Sequence, residues 1–488
     1  MLFTSLLNKI EYSGTVAERE VESITNDSRR ANGHSVFVCV KGFATDGHNY
    51  AKNAYDLGCR CFVAERSLDL PSDASVAIVS NSRLALAILS CEIHGNPSHK
   101  IAVIGITGTK GKTTTALMIK HILESLGIPT GYIGSNGVSY AGVSRATQNT
   151  TPESHILQGY LSDMHKAGMK AAVVEISSQA LYLNRTYGTK FRTTVFSNLS
   201  PDHIGPGEHA SFDEYFAAKK KLFDQYSSEL VIANADDEYT SSILADCTTK
   251  TLTYSIISPS DYRATDITRC RTESMLGSEF VCHTNGKSYS IALSVPGEFN
   301  IHNALAAIAV AHSMGKEIPD IASSLSSVNI EGRFETFSAP GGACFVIDYA
   351  HNGLSLTSAL KALRAYEPNR LICLFGSVGE RTVIRREQLG RAAAKWADFS
   401  IITSDNPNHE SCEKIINEIA LHFDDEDSYI AIPDRKKAIE YAVRIAEGED
   451  IVLLAGKGHE KYQLIDGKNH YFCEREIIEE SIKNLNPA

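Results

Sequence analysis

The stretch VIGITGTKGKTTTALMIKHIL, Val103 to Leu123, runs from a short apolar segment through a glycine-rich turn into helical spacing. A strand, a turn and a helix in that order form a phosphate site, because turn amides and the helix N-terminus both face an anion. The usual pattern is GxxxxGK[ST]. Here Gly105 lies one residue too far from Gly111, and the turn reads Thr107-Gly108-Thr109-Lys110-Gly111-Lys112-Thr113. The physics is unchanged. Glycines let backbone amides turn to phosphate oxygens, Lys112 reaches the outer phosphates, and the Thr113 hydroxyl suits Mg²⁺.

The segments on either side alternate short β-rich runs with helical stretches, the pattern of parallel α/β sheets. Strands are expected at 101–106, 171–176 and 193–198 in a central module. In a C-terminal module they are expected at 344–348, 371–375, 399–403 and 450–454. Turn-rich joints at 94–100 and 329–336 divide the chain into 1–98, 99–332 and 333–488, reasonable for 488 residues. The net charge of -11 argues against a general nucleic-acid binder. Eleven scattered cysteines without a CxxC pair suit a reducing cytosol. No signal peptide is read at the N-terminus, and no apolar run approaches the roughly 18 residues that span a bilayer. A cytoplasmic protein without membrane insertion is expected.

Polar residues recur at the ends of the expected strands: Glu175 and Ser177, Asp202 and His203, Asp348 and His351, Arg381, Asp405 and Asn406, and Lys457, His459 and Glu460. Ligands of open parallel sheets bind beyond the carboxyl ends of strands, so these groups read as two half-sites. Glu175 is the candidate second Mg²⁺ ligand and His203 a softer metal ligand.

At this point the residues resemble a known family. TGTKGKTTT, EISSQALYLNR, SNLSPDHIG, YFAAKKKLF, NADD, PGEFNIHNALAA, EGRFE, DYAHN and LLAGKGHEKYQ occur in the order found in Mur ligases, ATP-dependent amide-forming enzymes of peptidoglycan synthesis. The resemblance spans nearly the whole chain. It is strongest to the branch that makes the UDP-N-acetylmuramoyl-tripeptide, through TNDSRRANGHSVFVCVKGFATDGHNY, NTTPES and the late DNP. It implies a three-domain α/β architecture with a central P-loop ATPase-like parallel sheet and a C-terminal Rossmann-like domain. It also implies phosphorylation of the D-glutamate γ-carboxylate of UDP-N-acetylmuramoyl-L-alanyl-D-glutamate by ATP, followed by attack of an amino-acid amine. A monomer is expected.

The resemblance further implies site residues. Gly108, Thr109, Lys110, Gly111, Lys112, Thr113 and Thr114 hold ATP, with Asn300 and Asn303 near adenine and Arg333, Asp348 and His351 on the far wall. Ser28, Thr150, Thr151, Ser177 and Arg185 hold the UDP-linked substrate. Lys112, Glu175, His203 and Lys219 form the catalytic set. Lys219 is expected as a carbamate that joins Thr113, Glu175 and His203 around Mg²⁺.

Arg381, Asp405, Asn406, Asn408, Gly456 and Glu460 match the pocket for the incoming amino acid. Members that add meso-diaminopimelate resemble Asp-Asn-Pro-Arg here, the arginine pairing with the extra carboxylate. This chain has Asn408 in that place, while Asp405 and Glu460 suit an ammonium. L-lysine is therefore the favoured acceptor. meso-Diaminopimelate, with Arg381 or Arg385 compensating, and ornithine are the alternatives. Gly353 after DYAHN and FCERE at 472–476 also depart from the family pattern. Folylpolyglutamate or cyanophycin ligases lack the N-terminal uridine-type module. A non-catalytic nucleotide-binding subunit fits poorly with the intact catalytic set, and a plain P-loop kinase leaves the C-terminal cluster unexplained.

Overall fold

Every residue of the strand Ala102–Thr107 is buried or nearly so, and parallel partners lie on both sides of it. Strands covered on both faces need such continuous apolar runs. The computed structural model describes residues 1–42, 45–202, 204–205, 208–226, 228–272, 275–339, 341–380 and 382–485. The chain forms two compact units, residues 1–263 with 305–317 and residues 264–304 with 318–488.

The first unit holds two sheets. A parallel sheet of Ser23–Thr25, Ser35–Val38, Cys61–Ala64 and Ser75–Ile78, in that order, packs against the helix Ser82–Ile93 through Val36, Val63, Leu86 and Leu89. The second sheet is ordered Thr251–Ser255, Ser228–Asn234, Phe191–Phe196, Ala102–Thr107, Ala171–Glu175 and Thr130–Gly134, all parallel. Gly137–Tyr140 and Val143–Arg145 extend it antiparallel. The helix Lys112–Ser125 follows the phosphate turn and buries Met118, Ile119, Ile122 and Leu123. Each such side chain contributes about 1.5–3 kcal/mol relative to exposure, which anchors the turn to the sheet.

The second unit has a sheet ordered Glu335–Ser338, Cys344–Asp348, Ile451–Ala455, Leu371–Phe375, Phe399–Ile402 and Tyr429–Ala431. The first pair is antiparallel and the others are parallel. Its core gathers Phe345, Ile347, Ile372, Leu374, Ile401, Val452 and Leu454 under the helices Arg435–Ile445 and Glu474–Leu485. The hairpin Met275–Thr284 and Lys287–Leu293 belongs to the same unit.

The seven expected strands are present within two residues of their expected ends. Others gave too weak a signal. Thr130–Gly134 carries glycine at two of five positions, which removes the side chains that mark a strand. Among the described residues no helix is long and apolar enough to cross a membrane.

Candidate active site

The phosphate turn is tied down before any ligand is considered. The Thr109 amide donates to the Asn198 carbonyl at 2.9 Å and the Lys110 amide to the Asn198 side chain at 2.8 Å. Ser197 Oγ and Asn198 Nδ2 both donate to the Lys110 carbonyl. Gly108 has no room for a side chain, because a Cβ there would meet Ser197 Oγ at 1.9 Å. Gly111 enters the helix at φ +82°, where glycine carries no steric cost.

Two lysines converge on one oxygen. Lys112 Nζ donates to the Gly108 carbonyl at 2.7 Å and Lys219 Nζ to the same atom at 2.9 Å. Lys219 is 1% exposed, on the helix Phe212–Asp224, and its ammonium lies 4.7 Å from the centre of the Tyr215 ring. Burial, reinforced by the nearby Lys112 charge, holds the Lys219 amine well below the usual lysine range. A buried neutral amine is a nucleophile, and a lone buried ammonium is costly.

Glu175 ends its strand fully buried. Oε2 accepts from Thr113 Oγ1 at 3.0 Å and from Ser135 Oγ at 3.3 Å. Oε1 accepts from Tyr132 at 2.5 Å and from the Ser135 amide at 3.1 Å. Gly134 passes so close that a Cβ would lie 2.2 Å from Oε1. Ser135 also bonds Thr150 at 3.0 Å, which links the carboxylate to the neighbouring cavity.

That cavity, about 280 Å³, is lined by Lys112, Thr150, Ser177, Arg185, His209 and Lys219 among others. Ser177 caps the helix Ser178–Tyr182, and Arg185 donates to Glu153 at 2.9 Å and to the Thr151 carbonyl at 3.2 Å. Thr151 is completely buried, with its hydroxyl turned to the Glu175 carbonyl and the Ser177 amide. It therefore supports the cavity wall, whereas Thr150 lines it. A second cavity of about 600 Å³ contains Asp27, Ser28, Gly47, Tyr50, Asn53 and Arg83. Thr114 is buried in the first helical turn. His203, expected as a metal ligand, and Arg381, expected in the amino-acid pocket, lie outside the described residues.

In the second unit, Asp348 accepts from the Phe334 and Ala350 amides at 3.1 and 2.9 Å. Burial pushes its carboxyl up, against the pull of Arg333. Arg333 stacks 4.7 Å from the Tyr349 ring centre, and the His351 ring lies 4.7 Å from the same ring between centroids. Asn300 and Asn303 are buried and joined side chain to side chain at 2.9 Å.

The amino-acid cluster differs from its sequence reading. Asp405 and Glu460 are not waiting for an ammonium. Lys457, completely buried, places Nζ 3.0 Å from Glu460, 3.0 Å from Asn406 Oδ1 and 3.7 Å from Asp405. Asn406 in turn donates to Glu460 at 3.0 Å. Gly456 keeps the strand end open, 2.7 Å being the distance from a Cβ there to Asp405 Oδ2. Asn408 donates to Glu380 at 2.6 Å and accepts from the Gly467 amide. Arg386 is held by Glu410 and Glu418, and its hydrogen bond to Glu410, with that of the Glu380 amide, holds the Glu410 carboxyl down at about 2. Sequence reasoning missed Tyr132, Ser135, Glu380 and the role of Lys457. Only Lys457 carried a signal, as one of the strand-end polar residues.

Profiles of the Mur ligase middle domain, the Mur ligase glutamate ligase domain and the Mur ligase catalytic domain match residues 106–311, 332–458 and 20–91. The chain is 37% identical to a UDP-N-acetylmuramoyl-L-alanyl-D-glutamate–2,6-diaminopimelate ligase of Clostridium botulinum, over 98% of this chain and 99% of that protein. It is 36% identical to the Clostridium perfringens protein of the same description, over 98% and 99%. A solved structure described as UDP-N-acetylmuramoyl-L-alanyl-D-glutamate–2,6-diaminopimelate ligase superposes with TM-score 0.74 at 26% identity, covering 100% of both chains.

Proposed function

Because the chain belongs to the Mur ligase family, we propose that its strand-end clusters activate a peptide carboxylate with ATP and deliver a diamino acid to it. It is an ATP-dependent ligase with the three-domain α/β fold, a UDP-N-acetylmuramoyl-tripeptide synthetase of peptidoglycan synthesis. The observation that carries the finer reading is the convergence of Lys112 and Lys219 on the Gly108 carbonyl at the wall of one cavity, with the Thr113–Glu175 pair next along the same turn. The domain bounds 1–98, 99–332 and 333–488 and a cytoplasmic location are part of the proposal.

The γ-phosphoryl of ATP passes to the D-glutamate γ-carboxylate of UDP-N-acetylmuramoyl-L-alanyl-D-glutamate, the amine attacks the acyl carbon, and phosphate leaves. Positioning and neutralisation of phosphate charge are the protein's main tasks in such transfers. Lys112 and the turn amides hold the phosphates, and Thr150, Ser177 and Arg185 hold the peptide end. The Thr113 hydroxyl and the Glu175 carboxylate are hard oxygen donors 3.0 Å apart, which fits Mg²⁺. When bound, Mg²⁺ neutralises charge on the phosphate oxygens. Reaction of the Lys219 amine with CO₂ makes a carbamate. That change releases a proton and would turn the neutral amine at the Gly108 carbonyl into an anion beside Lys112, supplying a third oxygen ligand. The cavity with Ser28 is the uridine site, and Asn300, Asn303, Arg333, Asp348 and His351 serve ATP.

The acceptor is meso-diaminopimelate in this reading, supported by the whole-length similarity to proteins described as using 2,6-diaminopimelate. L-Lysine is the second reading. It is favoured by Asn408, which lacks the charge an arginine would offer a second substrate carboxylate and instead donates to the Glu380 carboxylate. Phosphate release and product mass with ATP, Mg²⁺, UDP-N-acetylmuramoyl-L-alanyl-D-glutamate and each of meso-diaminopimelate, L-lysine and L-ornithine decide between them. Turnover with meso-diaminopimelate alone is the expected result. Turnover with lysine alone replaces the first reading with the second, and no turnover returns the non-catalytic alternative.

Lys457 gives a separate test. Lys457→Met leaves Asp405 and Glu460 facing each other without their shared cation, so the pocket loses its shape and charge. KM for the amino acid is expected to rise at least about tenfold. KM for the UDP-linked substrate should stay within about twofold. Equal rises in both constants would assign Lys457 to general stability.

A further inference from the structure

Arg83 stands at the wall of the 600 Å³ cavity that also holds Ser28, Gly47, Tyr50 and Asn53. It lies in the first turn of the helix Ser82–Ile93, with a side chain only 19% exposed. Its partners are distant. Nη2 lies 3.4 Å from the Lys41 carbonyl and Nη1 lies 3.7 Å from Glu153. A guanidinium has five N–H donors in a planar fork, so two long contacts leave most of that capacity unused. Burial also holds the Arg83 guanidinium below its usual range, with Glu153 opposing.

Glu153 is the hinge of the arrangement. Its other oxygen accepts from Arg185 at 2.9 Å, and Arg185 lines the 280 Å³ cavity beside the phosphate turn. The chain Arg83–Glu153–Arg185 thus runs from one cavity to the other. A substrate with uridine in the first and peptide in the second carries its diphosphate between them. Two adjacent phosphates match a planar fork bidentately.

We propose that Arg83 is the diphosphate-binding residue of the UDP-linked substrate, oriented by Glu153. The proposal rests on the reading of the Ser28 cavity as the uridine site. Arg83 makes the diphosphate, rather than the base, the source of affinity at this end of the substrate. Glu153 fixes the Arg83 and Arg185 forks relative to each other, so uridine and peptide are seated at a set separation.

The test uses the full chain and three probes, uridine, UMP and UDP, titrated by ligand-observed NMR against the parent, Arg83→Met and Arg83→Lys. In the parent, UDP is expected to bind at least about tenfold tighter than uridine. Arg83→Met is expected to bind uridine as the parent does and to lose about tenfold of the UDP advantage, with Arg83→Lys in between. KM for the UDP-linked substrate should rise in the same order, with kcat within about threefold. An unchanged UDP-to-uridine ratio in Arg83→Met overturns the assignment. Loss of uridine and UDP binding together in both variants also overturns it, by making Arg83 a support of the cavity wall. Failure of the parent to bind any of the three probes removes the uridine reading itself, and the proposal with it.

Discussion

Lys219→Met is expected to lower ligation by about a thousandfold or more while making the folded protein more stable near neutral pH. Both halves follow from one geometry. Lys219 is buried, shares the Gly108 carbonyl with Lys112 and lines the cavity beside the phosphate turn. Removing a group that organises phosphate charge in a dry site costs about 10²–10³ in rate, and more where a ligand is lost with it. Stability moves the other way, because methionine fills similar space without a buried amine to desolvate. The gain is on the order of 1–3 kcal/mol.

The pH dependence has a definite sign. The folded-state value of Lys219 is depressed, so between that value and about 10.4 the unfolded chain binds a proton that the folded chain does not. Stability of the parent from this group therefore rises with pH across that window, and its penalty is full below it. Urea unfolding at several pH values should give a flatter profile for Lys219→Met than for the parent. Added bicarbonate should stabilise only the parent if the carbamate forms. Activity within tenfold of the parent would remove Lys219 from the catalytic set.

Glu175→Gln is the second large effect, and here activity and stability fall together. The carboxylate accepts from Thr113, Tyr132, the Ser135 amide and the Ser135 hydroxyl. An amide would turn an NH₂ group toward two of those donors. With the residue fully buried, the mismatch costs about 1–3 kcal/mol. Loss of the anionic oxygen next to Thr113 is expected to cut kcat by about a thousandfold and to raise the Mg²⁺ concentration needed for half-maximal rate. Steady-state kinetics across a Mg²⁺ series, with thermal melting in parallel, checks both. Unchanged Mg²⁺ dependence would leave Glu175 as a structural anchor for Thr113.

What could be read before the structure was local. Ala102–Thr107 and the turn after it announce themselves by an apolar run, glycines and helical spacing, all within neighbouring residues. The strand-end positions of Glu175, Asp348, Asp405 and Glu460 followed from the same local rule. Pairings between distant segments did not. Nothing in the spacing of Tyr132 and Ser135 says that both supply Glu175. Arg83, in the helix Ser82–Ile93, and Glu153, the N-cap residue of the helix Ser154–Lys166, are seventy residues apart and meet because those two helices pack together. Lys457 was visible as a polar residue at a strand end, but its occupation of the space between Asp405 and Glu460 depends on the direction of one side chain. The case for L-lysine drew on Asp405 and Glu460 as partners for a substrate ammonium, and Lys457 already stands beside both.

In the proposed amino-acid pocket, Lys457 acts as a built-in counter-ion. A buried carboxylate, a buried tethered ammonium and a half-buried carboxylate sit together, leaving one negative charge in excess. A pocket built this way would keep its counter-ion between substrates and need not recruit a cation from solution. Binding of an amino acid there would then meet at most one unit of unbalanced charge. Loading of the acceptor should accordingly respond weakly to ionic strength, since the pair that shapes the pocket is shielded from the salt around it.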